Sequence, residues 1–144
     1  MNETIASILK AKGPKIHAIV PNATVHEALT IMAEKGIAAV LVLADGRLAG
    51  IVSAKDFARK VVLPGRSARD TRVQEIMTSP VVTVKPEATV PECIAIMTRR
   101  NFRHLPVFSE GELVGVVTLA DLARAVISDQ AFKIDQLMTY VGHK

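Results

Sequence analysis

The chain contains one pattern of residues twice, and this internal repeat limits the possible folds more than any other feature. Residues 18–62 align with residues 83–127 without a gap after a shift of 65 positions, which places Asp56 on Asp121. A unit of about 60 residues is marginal alone, because it buries too little of its surface on folding. We therefore expect two similar small domains, each of which depends on the other for stability.

Each copy predicts the same order of elements, β-α-β-β-α. A threonine followed three residues later by a glutamate, at 24–27 and at 89–92, forms a capping box that begins a helix. An acidic residue and a glycine between two apolar runs, at 45–46 and at 110–111, indicate a β-hairpin. The remaining predictions are short strands at 16–19 and 81–84, helix ends at Gly36 and Asn101, and second helices that begin at Ser53 and Thr118.

The repeat and the polar segment between its copies set the predicted domain boundaries. The first copy, with a preceding helix, spans residues 1–64 and ends where Pro64-Gly65 stops a helix. Residues 65–72 form a linker, residues 73–128 the second copy, and residues 129–144 a C-terminal helix or tail. The mixture of helices and strands places the chain in the α/β (α+β) class.

The composition indicates a globular protein that does not span a membrane. The chain is 49% hydrophobic and 22% charged, and its longest apolar run, residues 37–44, is far shorter than the ~20 residues of a membrane span. The amino terminus lacks the basic and apolar regions of a secretory signal. The single cysteine, Cys93, argues against an oxidising compartment. We therefore expect a cytoplasmic protein in which Cys93 is a core thiol.

The charges and motifs favour neither nucleic-acid binding nor catalysis. The net charge is +4, but aromatic residues make up only 3% and do not alternate with basic residues, as they do on single-strand binding surfaces. The sequence has no phosphate-binding loop and no arrangement of residues that indicates a nucleophile. Its four histidines do not have the spacing of metal ligands. We expect no enzymatic activity, no catalytic cofactor and no metal site.

The motif Ser/Thr-x-x-Asp occurs at residues 53–56 and 118–121, where a strand runs into a helix. One interpretation is structural: the hydroxyl and the carboxylate cap the helix, and the acid interacts favourably with the helix dipole. The other interpretation is functional: free amides and the hydroxyl bind phosphate, and the carboxylate accepts hydrogen bonds from both hydroxyls of a ribose. The motif is compatible with both interpretations.

The duplicated pattern resembles the CBS domain family in its tandem form, the Bateman module. The resemblance rests on residues 103–108, on Gly-x-Leu-x-Gly-x-Val-Ser/Thr-x-x-Asp in both copies, and on the entry to the second copy at 77–84. It covers about residues 4–127 and is closest to small CBS-pair proteins without a catalytic domain. It implies two β-α-β-β-α repeats that pack through their sheets as a pseudo-symmetric pair and bind adenosyl ligands in clefts.

The resemblance also implies roles for individual residues. The ribose-binding acids correspond to Asp56 and Asp121, and the hydroxyls beside the phosphate correspond to Ser53 and Thr118. For His104, ligand contact and plain surface exposure both remain open. The full set of expected nucleotide-binding residues is Ile16, Ala18, Ser53, Lys55, Asp56, Val81, Thr83, Arg103, His104, Thr118 and Asp121.

The two copies differ at several of these positions, so we expect two unequal sites. Arg103 and His104 of the second copy correspond to Ala38 and Ala39 of the first. Lys55 of the first copy has an alanine as its counterpart. Different cations beside the ribose-binding acid imply different ligands or different affinities.

The function implied by the resemblance is a regulatory, signal-transducing module. The expected ligands are AMP, NAD(H), ATP or S-adenosylmethionine, and binding is expected to change the arrangement of the two repeats, which a regulated partner protein reads. The resemblance further implies a homodimer. Two alternatives remain open: a protein-interaction scaffold without a ligand, in which both motifs are only caps, and a nucleic-acid binder that uses the basic residues around the linker.

Overall fold

Each copy of the sequence repeat lies in its own unit of the structure, a computed structural model that describes residues 2–13 and 15–142. The repeat-1 unit is Ile16–Val81. The repeat-2 unit comprises Met1–Lys15 and Val82–Lys144. Four positions lie outside the described residues. Met1 and Pro14 belong to the predicted segment 1–64, and His143 and Lys144 belong to the predicted segment 129–144.

The helices and strands follow the predicted order in the first copy, with changes in the second. In chain order they are α1 (Ile5–Lys12), β1 (Ala18–Ile19), α2 (Val25–Lys35), β2 (Ala39–Ala44), β3 (Arg47–Ser53), α3 (Ala54–Phe57, continued by a π-helical segment, Ala58–Val62), α4 (Val73–Ile76), α5 (Val90–Arg100), β4 (His104–Ser109), β5 (Glu112–Thr118) and α6 (Leu119–Gly142).

Hydrogen bonds within a few residues set the ends of α2 and α5. The Glu27 amide donates to Thr24 Oγ1 over 3.1 Å, and the Thr24 amide donates to Glu27 Oε2 over 3.3 Å. In α5 the Glu92 amide donates to Thr89 Oγ1 over 3.3 Å, which is one of the two hydrogen bonds of the predicted capping box. The predicted helix starts are therefore confirmed. The predicted ends are confirmed as left-handed residues at Gly36 and Asn101.

Both hairpins have the same register. In the repeat-1 unit β1 pairs parallel with β2, which pairs antiparallel with β3, and in the repeat-2 unit β4 pairs antiparallel with β5. Ala39 lies opposite Ser53, and His104 lies opposite Thr118. Both residues of each two-residue turn have positive φ, as a type I′ hairpin turn requires.

The strand predicted at residues 81–84 is wrong in extent, because only Val84 pairs, in a single parallel bridge with β4. In the repeat-1 unit the Leu41 amide donates to the His17 carbonyl over 3.0 Å and extends the pairing of β1. The residue that corresponds to Leu41 in the second copy is Pro106, which has no amide hydrogen to donate. The second copy therefore keeps the bridge without a longer strand.

The last helix runs past the end of the repeat. α6 is continuous from Leu119 to Gly142, so the predicted boundary at residue 129 does not interrupt it. The first copy ends its corresponding helix near Pro64-Gly65, whereas no proline or glycine lies between residues 119 and 141. Without such a breaker the helix continues.

Each unit has its own hydrophobic core, in which corresponding residues of the two copies occupy corresponding places. Met32 and Met97, which are aligned positions of the repeat, are 6% and 2% exposed. Cys93 is fully buried, and burial, together with the negative charge of Glu92, raises the pKa of its thiol to about 11. The prediction that Cys93 is a core thiol is confirmed.

The helix that precedes each copy in the sequence packs on the other copy. In the repeat-2 unit Ile5 and Ile8 of α1 lie in the core, and the Ile5 amide donates to the Ala88 carbonyl over 2.9 Å. In the repeat-1 unit Val73 and Ile76 of α4 lie in the core. The predicted boundaries group α1 with the first copy by sequence, whereas its packing partner is the second copy.

Two glycines allow these helices to approach the hairpins closely. A Cβ atom on Gly50 would lie 2.6 Å from Met77 Sδ, and a Cβ atom on Gly115 would lie 2.7 Å from Leu9 Cδ2. Real Cβ atoms essentially never make contacts this short. Gly50 and Gly115 are aligned positions of the repeat, so both copies lack a side chain at the point where a helix crosses the hairpin.

Candidate functional site

Asp56 caps α3 and is almost fully buried. The Asp56 amide donates to Ser53 Oγ over 3.2 Å, and the Ser53 amide donates to Asp56 Oδ2 over 2.9 Å. The Ser53 hydroxyl also donates to Asp56 Oδ2, over 3.1 Å. The Asp56 side chain is 12% exposed. The capping interpretation of the motif is therefore confirmed in this copy.

The second oxygen of Asp56 faces a hydroxyl and an ammonium group. Thr78 Oγ1 donates to Asp56 Oδ1 over 3.3 Å, and Lys60 Nζ lies 3.3 Å from the same oxygen. Lys60 Nζ also donates to the Ile76 carbonyl over 2.8 Å. Thr78 reaches the site because its backbone pairs with Ile51 of β3 through hydrogen bonds of 2.8 and 3.1 Å.

Asp121 occupies the corresponding place in the repeat-2 unit. Its amide donates to Thr118 Oγ1 over 3.1 Å, and the Thr118 amide donates to Asp121 Oδ2 over 2.8 Å. Lys12 Nζ forms an ion pair with Oδ2 at 2.8 Å, and Arg124 Nη2 forms one with Oδ1 at 2.7 Å. The Asp121 side chain is 6% exposed. Capping is confirmed here too, and two cations compensate the buried charge.

The two cations of Asp121 differ in how firmly they are held. Lys12 comes from α1 and also donates to the Val116 carbonyl over 2.9 Å; its side chain is 32% exposed. Arg124 lies one helical turn after Asp121, and its side chain is 71% exposed. An ion pair of a well-exposed group contributes little to stability, so Lys12 is the stronger partner of this acid.

Opposing effects act on the titration of Asp121. Burial raises the pKa of its carboxyl, but the hydrogen bonds from Lys12 and from the Thr118 amide and the positive charge of Lys12 outweigh it, so the pKa lies below its ordinary value of 3.8. Burial, followed by the charges of Lys12 and Arg103, lowers the pKa of His104 below 6.5, against the opposite effect of Asp121. At pH 7 Asp121 is therefore ionised and His104 is largely neutral.

An open depression of about 320 Å³ lies beside Asp121 in the repeat-2 unit. Its volume is at the lower end of the range of small-molecule sites. It is lined by residues from α1 and α6 and by one acidic residue before α1: Glu3, Ile8, Ala11, Lys12, Asp121, Arg124 and Ala125.

In the repeat-1 unit the structure brings Ser53 and Asp56 together. Lys55 lies on the same helix, α3, but is exposed. Ala18 lies in β1, on the strand that borders the hairpin. Three other residues of this unit were expected to bind nucleotide and lie outside α3. All three are half-buried: Ile16, Ala18 and Val81.

In the repeat-2 unit the structure brings Thr118 and Asp121 together, with His104 opposite Thr118 on the hairpin and half-buried. Arg103 is exposed, and its carbonyl accepts a hydrogen bond of 2.9 Å from the first amide of α6. Thr83 is exposed and lies outside the strands. Whether His104 contacts a ligand stays a prediction.

Sequence reasoning missed four side chains that touch the two acids. Lys60 and Arg124 follow the acids by four and three residues, a spacing that places side chains together on a helix. That spacing could have identified them. Lys12 and Thr78 come from the segments that pack on the other copy, and no local pattern connects them to the motif.

Among residues 2–13 and 15–142 no group of three or more His, Cys, Asp or Glu side chains could hold a metal ion. Within the same residues no helix is both long enough and apolar enough to cross a bilayer.

Two curated proteins resemble the chain over nearly its whole length. The mitochondrial CBS domain-containing protein CBSX3 of Arabidopsis thaliana is 31% identical over 147 residues, which cover 96% of this chain and 71% of that protein. The CBS domain-containing protein YhcV of Bacillus subtilis is 26% identical over 140 residues, 97% of this chain and 98% of that protein.

A solved structure from Burkholderia ambifaria, described as a signal-transduction protein with CBS domains, superimposes with a TM-score of 0.86. It is 48% identical and covers 88% of this chain and 96% of its own. The family model of the CBS domain matches residues 12–63 and 73–128, one match for each copy of the repeat. The chain therefore belongs to the CBS domain family and carries two CBS domains.

Proposed function

We propose that this CBS-pair protein is a regulatory module that binds an adenine nucleotide, namely AMP, NAD(H) or ATP, at its two Ser/Thr-x-x-Asp motifs. S-adenosylmethionine, which shares the adenosine group but has no phosphate, is a further candidate. The observation that carries the proposal is the surroundings of Asp121. A buried, ionised carboxylate, a hydroxyl and several basic side chains converge at the start of one helix.

This combination suits a ligand that carries both hydrogen-bond donors and negative charge. The ribose hydroxyls can donate to the Asp121 carboxylate, and a charged acceptor makes such bonds about twice as strong as neutral ones. A phosphate is attracted by Lys12, Arg124 and the exposed Arg103. The depression beside Asp121 offers space for part of such a ligand.

The ion pairs indicate which contact a ribose would replace. Both carboxylate oxygens of Asp121 already have partners: Lys12 and the Thr118 amide on Oδ2, and Arg124 on Oδ1. Arg124 is the more exposed cation, so its displacement costs less than that of Lys12. We therefore expect Arg124 to release Oδ1 to the ribose and to turn towards the phosphate.

The two sites are expected to differ in affinity. Asp56 has Lys60 beside it and the exposed Lys55 on the same helix, but alanines stand where the second copy has Arg103 and His104. Two cations, Lys12 and Arg124, form ion pairs with the acid of the repeat-2 unit, whereas Lys60 alone is paired with the acid of the repeat-1 unit among the described residues. We therefore expect the repeat-2 site to bind the more highly phosphorylated ligand more tightly.

Regulation follows if the ligand prefers one arrangement of the module. A ligand shifts such an equilibrium only by its differential affinity for the two states. We propose that nucleotide binding changes the arrangement of the repeats and that a partner protein reads the change. The cytoplasmic location and the homodimer stay predictions.

Isothermal titration calorimetry with AMP and ATP tests the proposal on Asp56→Asn and Asp121→Asn, which keep the shape of the side chain. Loss of a charged acceptor is worth about 1.5–3 kcal/mol, so we expect each variant to lose roughly 10-fold or more in affinity at its own site. Asp70→Asn, which changes an exposed acid outside both motifs, is the control and should bind as the wild type does.

Thermal unfolding with AMP, ATP, NADH and S-adenosylmethionine separates the sensor from a ligand-free scaffold. A ligand at 100 times its Kd stabilises the protein by about 2.7 kcal/mol. No change in the midpoint with any of the four ligands would favour the scaffold. Equal affinities for AMP and for ATP at the two sites, measured at the site left intact in Asp56→Asn and in Asp121→Asn, would contradict the unequal sites.

A further inference from the structure

The chain passes from one unit to the other twice, through two short connections. The first connection, residues 13–17, follows α1 and contains the boundary after Lys15. The second connection, residues 79–83, follows α4 and contains the boundary after Val81. Each connection begins directly after a side chain that touches one of the two motif acids. Each acid therefore contacts the chain at the place where it leaves the unit of that acid.

The start of the second connection is held by backbone pairing, which involves no charge. The Thr78 amide donates to the Ile51 carbonyl over 2.8 Å, and the Ile51 amide donates to the Thr78 carbonyl over 3.1 Å. The neutral hydroxyl of Thr78 adds a hydrogen bond of 3.3 Å to Asp56. Residues 77–83 contain no basic side chain. An anion bound beside Asp56 therefore has no cation in this segment to attract.

The start of the first connection is held by one charged side chain. Lys12 Nζ donates to the Val116 carbonyl over 2.9 Å and pairs with Asp121 Oδ2 at 2.8 Å. No backbone hydrogen bond between described residues joins residues 13–17 to the hairpin of the repeat-2 unit. The polar contact between this end of α1 and the rest of its unit therefore depends on the ammonium group of Lys12.

The depression beside Asp121 gives an anion access to the same side chain. Its lining comes from α1, from α6 and from Glu3, and its two basic residues are Lys12 and Arg124. Glu3 precedes the first turn of α1, whereas Lys12 ends that helix, so the acid lies at the far end of α1 from the lysine. Arg124 belongs to α6 and has no connection next to it. Of the two cations, only Lys12 leads directly into a connection.

Lys12 has a donor left for a phosphate oxygen. An ammonium group carries three N–H donors, and two of them are used by the Val116 carbonyl and by Asp121. The Lys12 side chain lines the depression and is 32% exposed, so a ligand in the depression can reach the third donor. A phosphate oxygen at that donor adds a charge-assisted hydrogen bond and leaves the other two in place.

We propose that Lys12 is the residue through which a phosphate bound beside Asp121 stabilises the first connection, whereas a ligand beside Asp56 has no such effect on the second connection. The inference rests on the proposed function. It adds which of the two sites acts on a connection between the units, and which group of the ligand is required. Adenosine, which lacks a phosphate, binds without this effect.

Hydrogen–deuterium exchange of the full chain, measured by mass spectrometry with saturating AMP or adenosine, tests the proposal. The contacts of adenine and ribose are common to both ligands, so the comparison isolates the phosphate. We expect AMP to slow the exchange of residues 13–17 about 10-fold more than adenosine does, because one more charge-assisted hydrogen bond holds the segment. Residues 79–83 should exchange equally with both ligands and are the internal reference.

Variants of the two cations separate the role of Lys12 from that of charge in general. Lys12→Met should lose the additional slowing even when AMP saturates the site, and Lys12→Arg, which keeps the charge, should retain it. Arg124→Met removes the other cation of the depression, so it should weaken AMP binding but keep the slowing at saturation. Lys10→Met changes an exposed cation of α1 and is the control for affinity and exchange. Far-ultraviolet circular dichroism and the unfolding midpoint establish that the variants fold.

Calorimetry on the same samples distinguishes failure of this inference from failure of the proposed function. Absence of binding of both ligands would overturn the proposed function and this inference with it. Binding of AMP that slows residues 13–17 no more than adenosine does would overturn the inference alone, as would a Lys12→Met variant that keeps the additional slowing. An equal phosphate-dependent slowing of residues 79–83 would contradict the difference between the two connections.

Discussion

At the scale of single residues, Asp121 combines a structural role with the role that we propose for it in nucleotide binding. Its carboxylate accepts a hydrogen bond from the Thr118 amide, which caps α6, and it pairs with cations that a phosphate would also attract. A helix cap does not require a cation, yet Lys12 of α1, which lies 109 residues earlier in the sequence, donates a hydrogen bond to this carboxylate. The convergence of these groups is the reason to assign the site a ligand.

The lowered pKa of Asp121 predicts a specific dependence of stability on pH. Because the native pKa lies below the ordinary value of 3.8, ionised Asp121 stabilises the fold above that value, and the contribution is lost as the pH falls through the native pKa. We expect the difference in free energy of unfolding between wild type and Asp121→Asn to be largest near pH 7. The difference should shrink below about pH 4, measured by urea unfolding across pH.

Lys12→Met is the matched variant for this prediction. It removes the hydrogen bond and charge that oppose the effect of burial on Asp121, so it should raise the native pKa of that carboxyl and shrink the part of the stability that is lost on acidification. Arg124→Met removes a cation that is 71% exposed and should have a smaller effect. A stability difference for Asp121→Asn that does not change between pH 7 and pH 3 would contradict the prediction.

At the scale of elements, the contact between each hairpin and its helix depends on a missing side chain. Gly50 lies against Met77 and the Thr78 carbonyl, and Gly115 lies against the side chain of Leu9. The two contacts occupy equivalent positions in the repeat but differ in how easily the neighbouring atoms can move away. A backbone carbonyl cannot move away as readily as the end of a leucine side chain.

We expect Gly50→Ala to destabilise the protein by about 1–3 kcal/mol, the typical cost of overpacking, and Gly115→Ala to cost less. In Gly50→Ala the new Cβ atom would also lie 3.0 Å from the Thr78 carbonyl oxygen. Chemical unfolding of both variants measures the difference. Leu9→Ala combined with Gly115→Ala should cost less than the sum of the two single variants, and equal costs for the two glycine variants would count against the argument.

At the scale of the whole molecule, packing divides the chain differently from the sequence repeat. The repeat-1 unit, Ile16–Val81, contains α4, whose Val73 and Ile76 complete its core. A fragment cut at the repeat boundary, residues 1–64, lacks those two side chains. The fragment also carries α1, whose apolar residues belong to the core of the other unit.

We therefore expect the fragment 16–81 to be more stable than the fragment 1–64 and to unfold more cooperatively, although neither fragment has the other unit to stabilise it. Both fragments are near the size at which a domain is only marginally stable, so we expect the loss of Val73 and Ile76 from the core to prevent the fragment 1–64 from folding. Chemical-shift dispersion and thermal unfolding of the two fragments measure the difference. A cooperative transition in 1–64 and none in 16–81 would show that the packing assignment is wrong.

The features predicted from the sequence are those that depend on a few neighbouring residues. The capping boxes, the left-handed residue Asn101 and the hairpin turns each satisfy their hydrogen bonds within about four residues, so the local pattern contains all the necessary information. The same holds for the Ser/Thr-x-x-Asp motifs, whose capping geometry lies within one helical turn.

Only the tertiary structure decided which copy each helix packs on and which cations reach the acids. The two copies present almost the same apolar surface, so the periodicity of α1 predicts that it packs but not whether it packs on the first hairpin or the second. Lys12 approaches Asp121 as a consequence of that choice. Because packing between similar surfaces depends on long-range contacts, the sequence determined the elements and the motif, and the tertiary fold determined the partners of the motif.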